Sequence, residues 1–341
     1  MKAMRNIRII LASAACAVMM AGVMSSCSYD EDELSPSNEV SSFILPQGSH
    51  DYDATIQKFY DDNGVYLLYQ FTDKDAYWTP SGWTNGEITT DDTDGKQGFL
   101  VIKADENYVG QQLSLLDEIW FDKVPESARK ALLPNVILLC SEVDDIVQKW
   151  DFSSYPFKQV CSPSPITSHY NYDNIAVSYG SAAVETLTAR QKATVSRDLM
   201  QTWVEYIADR KAAPSVEFSS SINYSSSDVT KVYNAHDACA VGTLNAGYST
   251  SAKKDWVLFL DMMLMYPESY LTEDAGEFSK YQAFTNYVNG GYIYDYKNVF
   301  HGILNAKKDT KGLLKQRYDL VRNYFINTYN FDPQTVGNSN I

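Results

Sequence analysis

The sequence predicts an α+β fold in which a mixed β-sheet packs against helices and the C-terminal half is mostly helical. The chain has 341 residues, of which 45% are hydrophobic, and this is enough for a buried core. Strand-like segments alternate with helical ones up to about residue 180, and the later segments have helical spacing. We expect a single domain over residues 51–341.

The strands and the first helices are predicted from local composition and spacing. In chain order they are a helix over 53–60, strands over 64–72 and 99–104, a helix over 108–121, and strands over 135–143 and 174–179. Residues 77–98 are predicted to form a long loop or hairpin, and 152–172 a connection. Residues 91–95 resemble a calcium loop, but Val101 stands where an EF-hand needs a glutamate, so a turn is expected.

Three helices are predicted in the second half of the chain. The first covers 197–210 and should stop near Ala212, because Pro214 cannot continue it. The second, over 255–265, is apolar around most of its surface and should be buried, and the third covers 313–329. The apolar face of the first is predicted to contain Leu199, Met200, Trp203, Val204, Tyr206 and Ile207; its polar face contains Asp198, Gln201, Thr202, Glu205 and Asp209.

The N-terminal segment is typical of a lipoprotein signal. A basic start and an apolar run over 9–24 lead to Ser25-Ser26-Cys27, which resembles a lipobox in which Cys27 is acylated after cleavage. The alternative is an ordinary signal peptide that contains a cysteine. The acidic run over 28–33 resembles an export tag, or is simply a solvated linker. We therefore expect a signal peptide over 1–26 and a lipid-anchored, acidic and polar tether over 27–50.

Charge and cysteine content narrow the possible functions. The formal net charge is −15, and an acidic surface repels nucleic acid, so nucleic-acid binding is excluded. After processing, Cys140, Cys161 and Cys239 can form at most one disulfide. Scattered cysteines of this kind are usually buried as small apolar side chains.

Several segments together carry a resemblance to a known family. Residues 52–75, 104–125, 132–143, 174–180, 246–266 and 315–332, with RDLMQTWVEYIADRKAAPSVEF over 197–218, resemble the zinc-binding metallopeptidase lipoproteins, also described as substrate-import-associated zinc metallohydrolase lipoproteins. The resemblance implies a zincin-like fold, an outer-membrane lipid anchor and cell-surface exposure. It also implies two partners, a TonB-dependent transporter and its nutrient-binding lipoprotein, and zinc in the wider family.

The positions that carry zinc in that family differ in this chain. The alignment on Pro214 places Gln201 and Glu205 at the two histidines of the His-Glu-x-x-His motif, and Thr202 at its glutamate. Leu258 stands at the last glutamate of the family's second motif. Catalytic zinc needs three protein ligands and a water, whereas these positions offer Glu205 at most. We therefore expect a degenerate site with no catalytic or metal-binding residues and no cofactor.

Other placements of a catalytic site are weaker. The segment 236–240 could be a decayed His-Glu-x-x-His motif with His236 as its first ligand, but Ala240 replaces the second histidine. The histidines at 50, 169 and 301 stand alone. No nucleophile elbow, phosphate-binding glycine loop or reactive-cysteine motif is present, and a glycosidase-like carboxylate pair cannot be selected from the sequence.

Three functions are compatible with these observations. The favoured one is a non-catalytic surface lipoprotein that acts as an accessory binding or scaffold subunit of a TonB-dependent uptake system for a glycan or peptide. The 25 tyrosines and 6 tryptophans suit such a ligand. The alternatives are a zinc-dependent metallohydrolase with a displaced metal site and a purely structural surface lipoprotein.

Overall fold

The computed structural model describes residues 43–89, 95–153, 155–232, 234–245, 250–278, 285–288, 291–294 and 299–340. Contacts between Cα atoms divide the chain into two compact units, Met1–Ile44 and Leu45–Ile341. Every element below belongs to the second unit. The predicted signal peptide, Cys27, residues 28–42 of the predicted tether and residues 91–94 of the predicted turn lie outside the described residues.

The sheet is mixed and is organised around one long strand, β5. The strands are β1 Tyr66–Leu68, β2 Trp78–Thr79, β3 Gly82–Trp83, β4 Gly98–Lys103, β5 Val136–Asp151, β6 Lys158–Pro165, β7 Ser168–Asn171, β8 Asn174–Val177, β9 Thr285–Val288 and β10 Gly291–Tyr294. The main sheet contains β1, β4, β5, β6, β7 and β8, and the pairs β2–β3 and β9–β10 form separate antiparallel hairpins.

The two halves of β5 have different neighbours. The first half runs parallel to β1 and β8, with Val136 opposite both Tyr66 and Asn174. The second half runs antiparallel to β4 and β6. Residues 136–140 are all buried, as expected for a parallel strand covered on both faces, whereas residues 147–151 are half-buried or exposed.

Helices cover the sheet and make up most of the second half. They are α1 Asp53–Asn63, α2 Asp73–Tyr77, α3 Val109–Ile119, α4 Glu126–Leu132, α5 Ala189–Tyr206, α6 Val216–Ser220, α7 Ser227–Thr230, α8 Ala235–Ala240, α9 Ala252–Met265, α10 Glu268–Thr272, α11 Leu313–Tyr329 and α12 Pro333–Asn338. α5 continues as one π-helical turn, Ile207–Lys211. Short 3₁₀ helices span Phe121–Lys123 and Ala182–Thr186.

The hydrophobic core lies between the sheet and α5, α9 and α11. α5 packs on β7 and on α9, and its whole predicted apolar face is buried. The indole Nε1 of Trp203 donates to the carbonyl of Leu132 at 2.9 Å, which ties α5 to α4. Cys140, Cys161 and Cys239 are buried free thiols, so their predicted burial is confirmed.

The predicted α+β class, with a mixed sheet under helices and a mostly helical second half, is confirmed. The predicted connection over 152–172 is wrong, because it contains β6 and β7. β6 carries Pro163 and Pro165, which are rare inside central strands. Among the described strands it pairs only with β5, and a strand at a sheet edge tolerates them.

Two predicted boundaries are also corrected. β5 extends to Asp151, eight residues beyond the predicted end at Val143. α5 begins at Ala189, eight residues before the predicted start at Arg197. Thr188 and Gln191 form a capping box there, but the first two turns bury little apolar surface and so leave no helical stripe in the sequence.

Candidate functional site

A groove of about 530 Å³ runs beside α5 where β5 changes neighbours. β5 pairs with β8 as far as Leu139 and with β6 from Asp144, so residues 140–143 have neither partner on that side. The walls come from residues 141–143, 165–168 and 178–179, from Ala183, and from Asp198, Gln201 and Thr202 on α5. The groove is therefore built by the sheet topology.

Gln112 joins the chain segments that lead into this groove. Its buried amide nitrogen lies within 3.2 Å of the Cys140 carbonyl, 3.0 Å of that of Val177 and 2.9 Å of that of Ser178. Gly180 donates its N–H to the Cys140 carbonyl at 2.7 Å. A Cβ at Gly180 would lie 2.5 Å from that of Ala104, so the close approach requires glycine here. These hydrogen bonds hold the end of β8 next to the middle of β5.

Hydroxyl groups and one carboxylate line the α5 side of the groove. The Thr167 hydroxyl donates to Asp198 Oδ2 at 3.1 Å. The Ser168 hydroxyl donates to the Thr202 hydroxyl at 2.8 Å, and the latter donates to the Asp198 carbonyl at 3.2 Å. These bonds connect β7 to α5 and orient the groups that face the groove.

Partial burial raises the pKa of Asp198 above its usual value, whereas the Thr167 hydrogen bond and the charge of Arg197 act in the opposite direction. The residue still reaches solvent. A carboxylate held this way can accept hydrogen bonds from a polar ligand while remaining close to the hydroxyls of Thr167 and Thr202.

Tyr179 on the groove wall has an unusual backbone conformation. Its φ is +80°, in the left-handed region that a bulky residue rarely adopts. The residue is half-buried, and its ring packs against the core while it also lines the groove. Backbone strain of this kind concentrates at binding sites, where the fold holds a side chain in position for a ligand.

The four degenerate family positions fall in two places. Gln201 and Thr202 lie on the groove wall, and Glu205 follows one turn later on α5. Leu258 is buried on α9 and contributes to the hydrophobic core, in agreement with its predicted packing role. The α5 positions and Leu258 therefore do not supply a common set of metal ligands.

A buried carboxyl on α9 lies close to Glu205. Asp261 is 2% exposed, and its Oδ1 has no hydrogen-bond partner. Burial raises its pKa well above the usual range, and the charge of Glu205 adds to the effect. Partial desolvation and repulsion from Asp209 raise the pKa of Glu205 as well, although its side chain is exposed. Sequence reasoning missed Asp261, although an acidic residue inside an apolar helix is a visible signal.

The donors present do not fit a catalytic zinc ion. Within the described part of the chain, no three His, Cys, Asp or Glu side chains are grouped so that they could hold a metal. His236 is exposed at the start of the six-residue α8, and its Nδ1 lies 2.8 Å from Asp237 Oδ1. His169 stacks on Phe99 at 3.9 Å, and burial lowers its pKa. His301 stacks on Tyr270 at 4.4 Å.

Comparisons with known proteins give one distant similarity. No family model matches the chain, and no curated protein matches it either. One solved structure, described as a "putative zinc-binding metallo-peptidase" from Bacteroides caccae, has 10% sequence identity and a TM-score of 0.41. The match covers 83% of this chain and 86% of that chain. This similarity is too low to establish the family, so the family assignment stays a prediction.

The helical pattern predicted the polar face of α5 that forms one wall of the groove. Gln201, Thr202 and Asp198 were all placed on the polar face of α5, and the structure brings all three to one wall. Thr167 and Ser168 were missed because they lie just before and at the start of β7, a strand inside the predicted connection. No helix in the described part of the chain is long and apolar enough to cross a membrane.

Proposed function

We propose that the protein is a non-catalytic surface lipoprotein that binds an oligosaccharide in the groove beside α5. The observation that carries the proposal is the composition of the groove. Hydroxyls, an amide and a carboxylate line one side, and the half-buried ring of Tyr179 lies on another. Sugars are recognised by such a combination, since hydroxyls and carboxylates bond to their OH groups and an aromatic ring packs against their C–H faces.

The proposal excludes metal-assisted hydrolysis at this site because the donors do not fit. Gln201 and Thr202 are poor zinc ligands, and Leu258 offers no donor. The groove also contains no described cysteine or histidine that could act as a nucleophile or base. No observation favours a displaced metal site, and the carboxyls of Glu205 and Asp261 supply two donors at most.

The cellular role that fits this groove is an accessory subunit of a TonB-dependent uptake system at the outer membrane. This role rests on the predicted acylation of Cys27. It also rests on the sequence resemblance of several segments, in their order along the chain, to an import-associated family. In this role the protein would capture an oligosaccharide at the cell surface and present it to the transporter and its nutrient-binding lipoprotein.

Calorimetric titration with maltohexaose, cellohexaose, xylohexaose and mannohexaose tests the proposal, with hexaglycine as a peptide probe. We expect one oligosaccharide to bind, and Thr202→Val with Gln201→Ala to weaken it by about tenfold or more, since a lost polar contact costs roughly 1–2 kcal/mol. Thr194→Val is the matched control, because Thr194 lies on the same helix and also donates to the carbonyl four residues before it, at 3.2 Å.

Two results would overturn the proposal. One is that none of the four oligosaccharides binds, or that hexaglycine binds in their place. The other is that the groove variant and the Thr194→Val control bind the oligosaccharide equally well, which would put the binding site elsewhere. Circular dichroism of each variant shows whether the fold is kept.

A further inference from the structure

The β5–β6 hairpin ends in an exposed cluster of aromatic side chains. Trp150 is 55% exposed, Phe152 67%, Tyr155 88% and Phe157 50%. We call these four residues the aromatic tip. Soluble proteins rarely expose so many large apolar side chains within one turn, and such patches usually mark an interaction surface.

The aromatic tip projects beyond the main sheet. β4 begins at Gly98, opposite Ile146, so among the described strands residues 147–151 of β5 pair only with residues 158–162 of β6. Five residues of strand extend the ribbon by about 16 Å. At its end the ribbon therefore contains β5 and β6 alone among the described strands.

The four rings contact one another at the end of this ribbon. The ring centroids of Trp150 and Phe152 are 6.4 Å apart, those of Phe152 and Phe157 5.1 Å, and those of Tyr155 and Phe157 5.9 Å. Trp150 lies on β5, and Phe152 is the first residue after the strand ends at Asp151. The cluster is thus a continuous apolar surface.

The charges around the aromatic tip differ from those of the whole chain. Lys149 and Lys158 flank it, in a protein whose net charge is −15. Among the described residues 147–162 of this ribbon, the one carboxylate is that of Asp151, which accepts the backbone N–H of Ser153 at 2.9 Å and lies opposite Lys158 on β6. Exposed aromatic rings flanked by lysines are typical of protein segments that insert into the interfacial region of a bilayer.

We propose that the aromatic tip binds a lipid bilayer, with its rings among the acyl chains next to the headgroups and Lys149 and Lys158 on lipid phosphates. This idea is independent of the proposed oligosaccharide site. A predicted anchor at Cys27 would leave the orientation of the domain open, because 15 residues lie between Cys27 and Phe43 and such a connection can span roughly 55 Å. The aromatic tip supplies the second contact that fixes the orientation.

Vesicle sedimentation of residues 27–341 with Cys27→Ser tests the proposal without the signal peptide or acyl chains. The described core lies wholly within this segment. We expect binding to vesicles of phosphatidylcholine and phosphatidylglycerol, and about a tenfold or greater loss when all four residues of the aromatic tip are changed to serine. Lys149→Gln with Lys158→Gln should weaken binding to these anionic vesicles more than to pure phosphatidylcholine.

Fluorescence quenching by brominated lipids locates the contact. Trp83 is a matched control, because it is 52% exposed on the separate β2–β3 hairpin. Quenching should disappear in Trp150→Phe and persist in Trp83→Phe. The proposal is overturned if the unchanged protein does not sediment with vesicles, if the serine variant sediments equally well, or if quenching depends on Trp83 and not on Trp150.

Discussion

The guanidinium of Arg317 on α11 and the carboxylate of Asp255 on α9 form an ion pair that is almost completely shielded from solvent. Asp255 also accepts the N–H of Leu244 at 2.7 Å and the hydroxyl of Tyr224 at 2.8 Å. Arg317 donates to the Gly242 carbonyl at 2.8 Å, and its guanidinium carbon lies 3.9 Å from the centre of the Phe218 ring. The pair therefore joins two core helices to the chain segment that precedes α9.

Removing one member of this pair should destabilise the protein strongly. Arg317→Met would leave the Asp255 carboxylate buried without its cation, so we expect a loss of about 3–5 kcal/mol in the free energy of unfolding. Urea denaturation followed by circular dichroism measures it. Adding Asp255→Asn to Arg317→Met should restore part of the loss, because no buried charge then remains.

The exposed ion pair of Lys58 and Asp62 is the control for this prediction. Both residues lie on the surface of α1, with the ammonium and carboxylate in contact. Lys58→Met should leave the denaturation midpoint unchanged, since exposed pairs contribute little. If Arg317→Met were as mild as Lys58→Met, the buried pair would not stabilise the fold.

Elements of the fold could be predicted where the neighbouring residues in the sequence determine them, and not where tertiary contacts do. α11 was predicted with its observed bounds because periodic apolar residues mark it. In the structure Gly312 precedes the helix and Asn330 follows it, both in left-handed conformations. β6 was missed because two prolines remove the local strand signal. Its place in the sheet comes from pairing with β5, which is a tertiary contact.

The same distinction applies to the site. The polar face of α5 could be predicted from helical spacing, and the family resemblance selected Gln201 and Thr202. The hydrogen bond between Ser168 and Thr202 could not be predicted, because the two residues are 34 positions apart and β7 brings them together. The left-handed φ of Tyr179 gives no sequence signal either, because tyrosine is not a residue that usually marks this conformation. The surrounding fold imposes it.

Asp261 should make stability fall as pH rises. Its pKa in the folded protein is raised above the unfolded value, so the folded state holds a proton that the unfolded state has lost. Its contribution to stability is full below the unfolded pKa of about 3.9, and is lost as pH rises through the folded pKa. The slope is at most about 1.4 kcal/mol per pH unit for one proton.

Asp261→Asn tests this dependence because the amide has a similar shape and no charge. We expect the variant to be more stable than the unchanged protein at pH 8 and less dependent on pH between 4 and 8, as measured by urea denaturation. Asp228→Asn changes an exposed carboxylate on α7 and serves as the control. Parallel pH profiles for Asp261→Asn and the unchanged protein would contradict the assignment.

Position 179 should favour glycine over alanine. A residue with a Cβ pays about 1–2 kcal/mol in the left-handed region, whereas glycine does not. We therefore expect Tyr179→Gly to be more stable than Tyr179→Ala by about 1 kcal/mol, although both lose the packing of the ring. Thermal denaturation of the two variants measures the difference, and both should bind the oligosaccharide less tightly.

The same pair of substitutions at Tyr155 is the control for position 179. Tyr155 is exposed and does not have a positive φ, so glycine should bring no advantage over alanine there. If alanine were at least as stable as glycine at position 179, the strain would be absent. The left-handed conformation would then not explain how Tyr179 is held on the groove wall.

Zinc content distinguishes the binding function from the metallohydrolase alternative. After incubation with zinc and desalting, the purified protein should retain less than about a tenth of an equivalent by elemental analysis, because two carboxyls do not replace the three ligands of a catalytic site. Near-stoichiometric zinc would contradict the proposed function. His236→Ala would then be the first variant to analyse, and its loss of zinc would place the metal at α8, whereas retention would direct attention to Glu205 and Asp261.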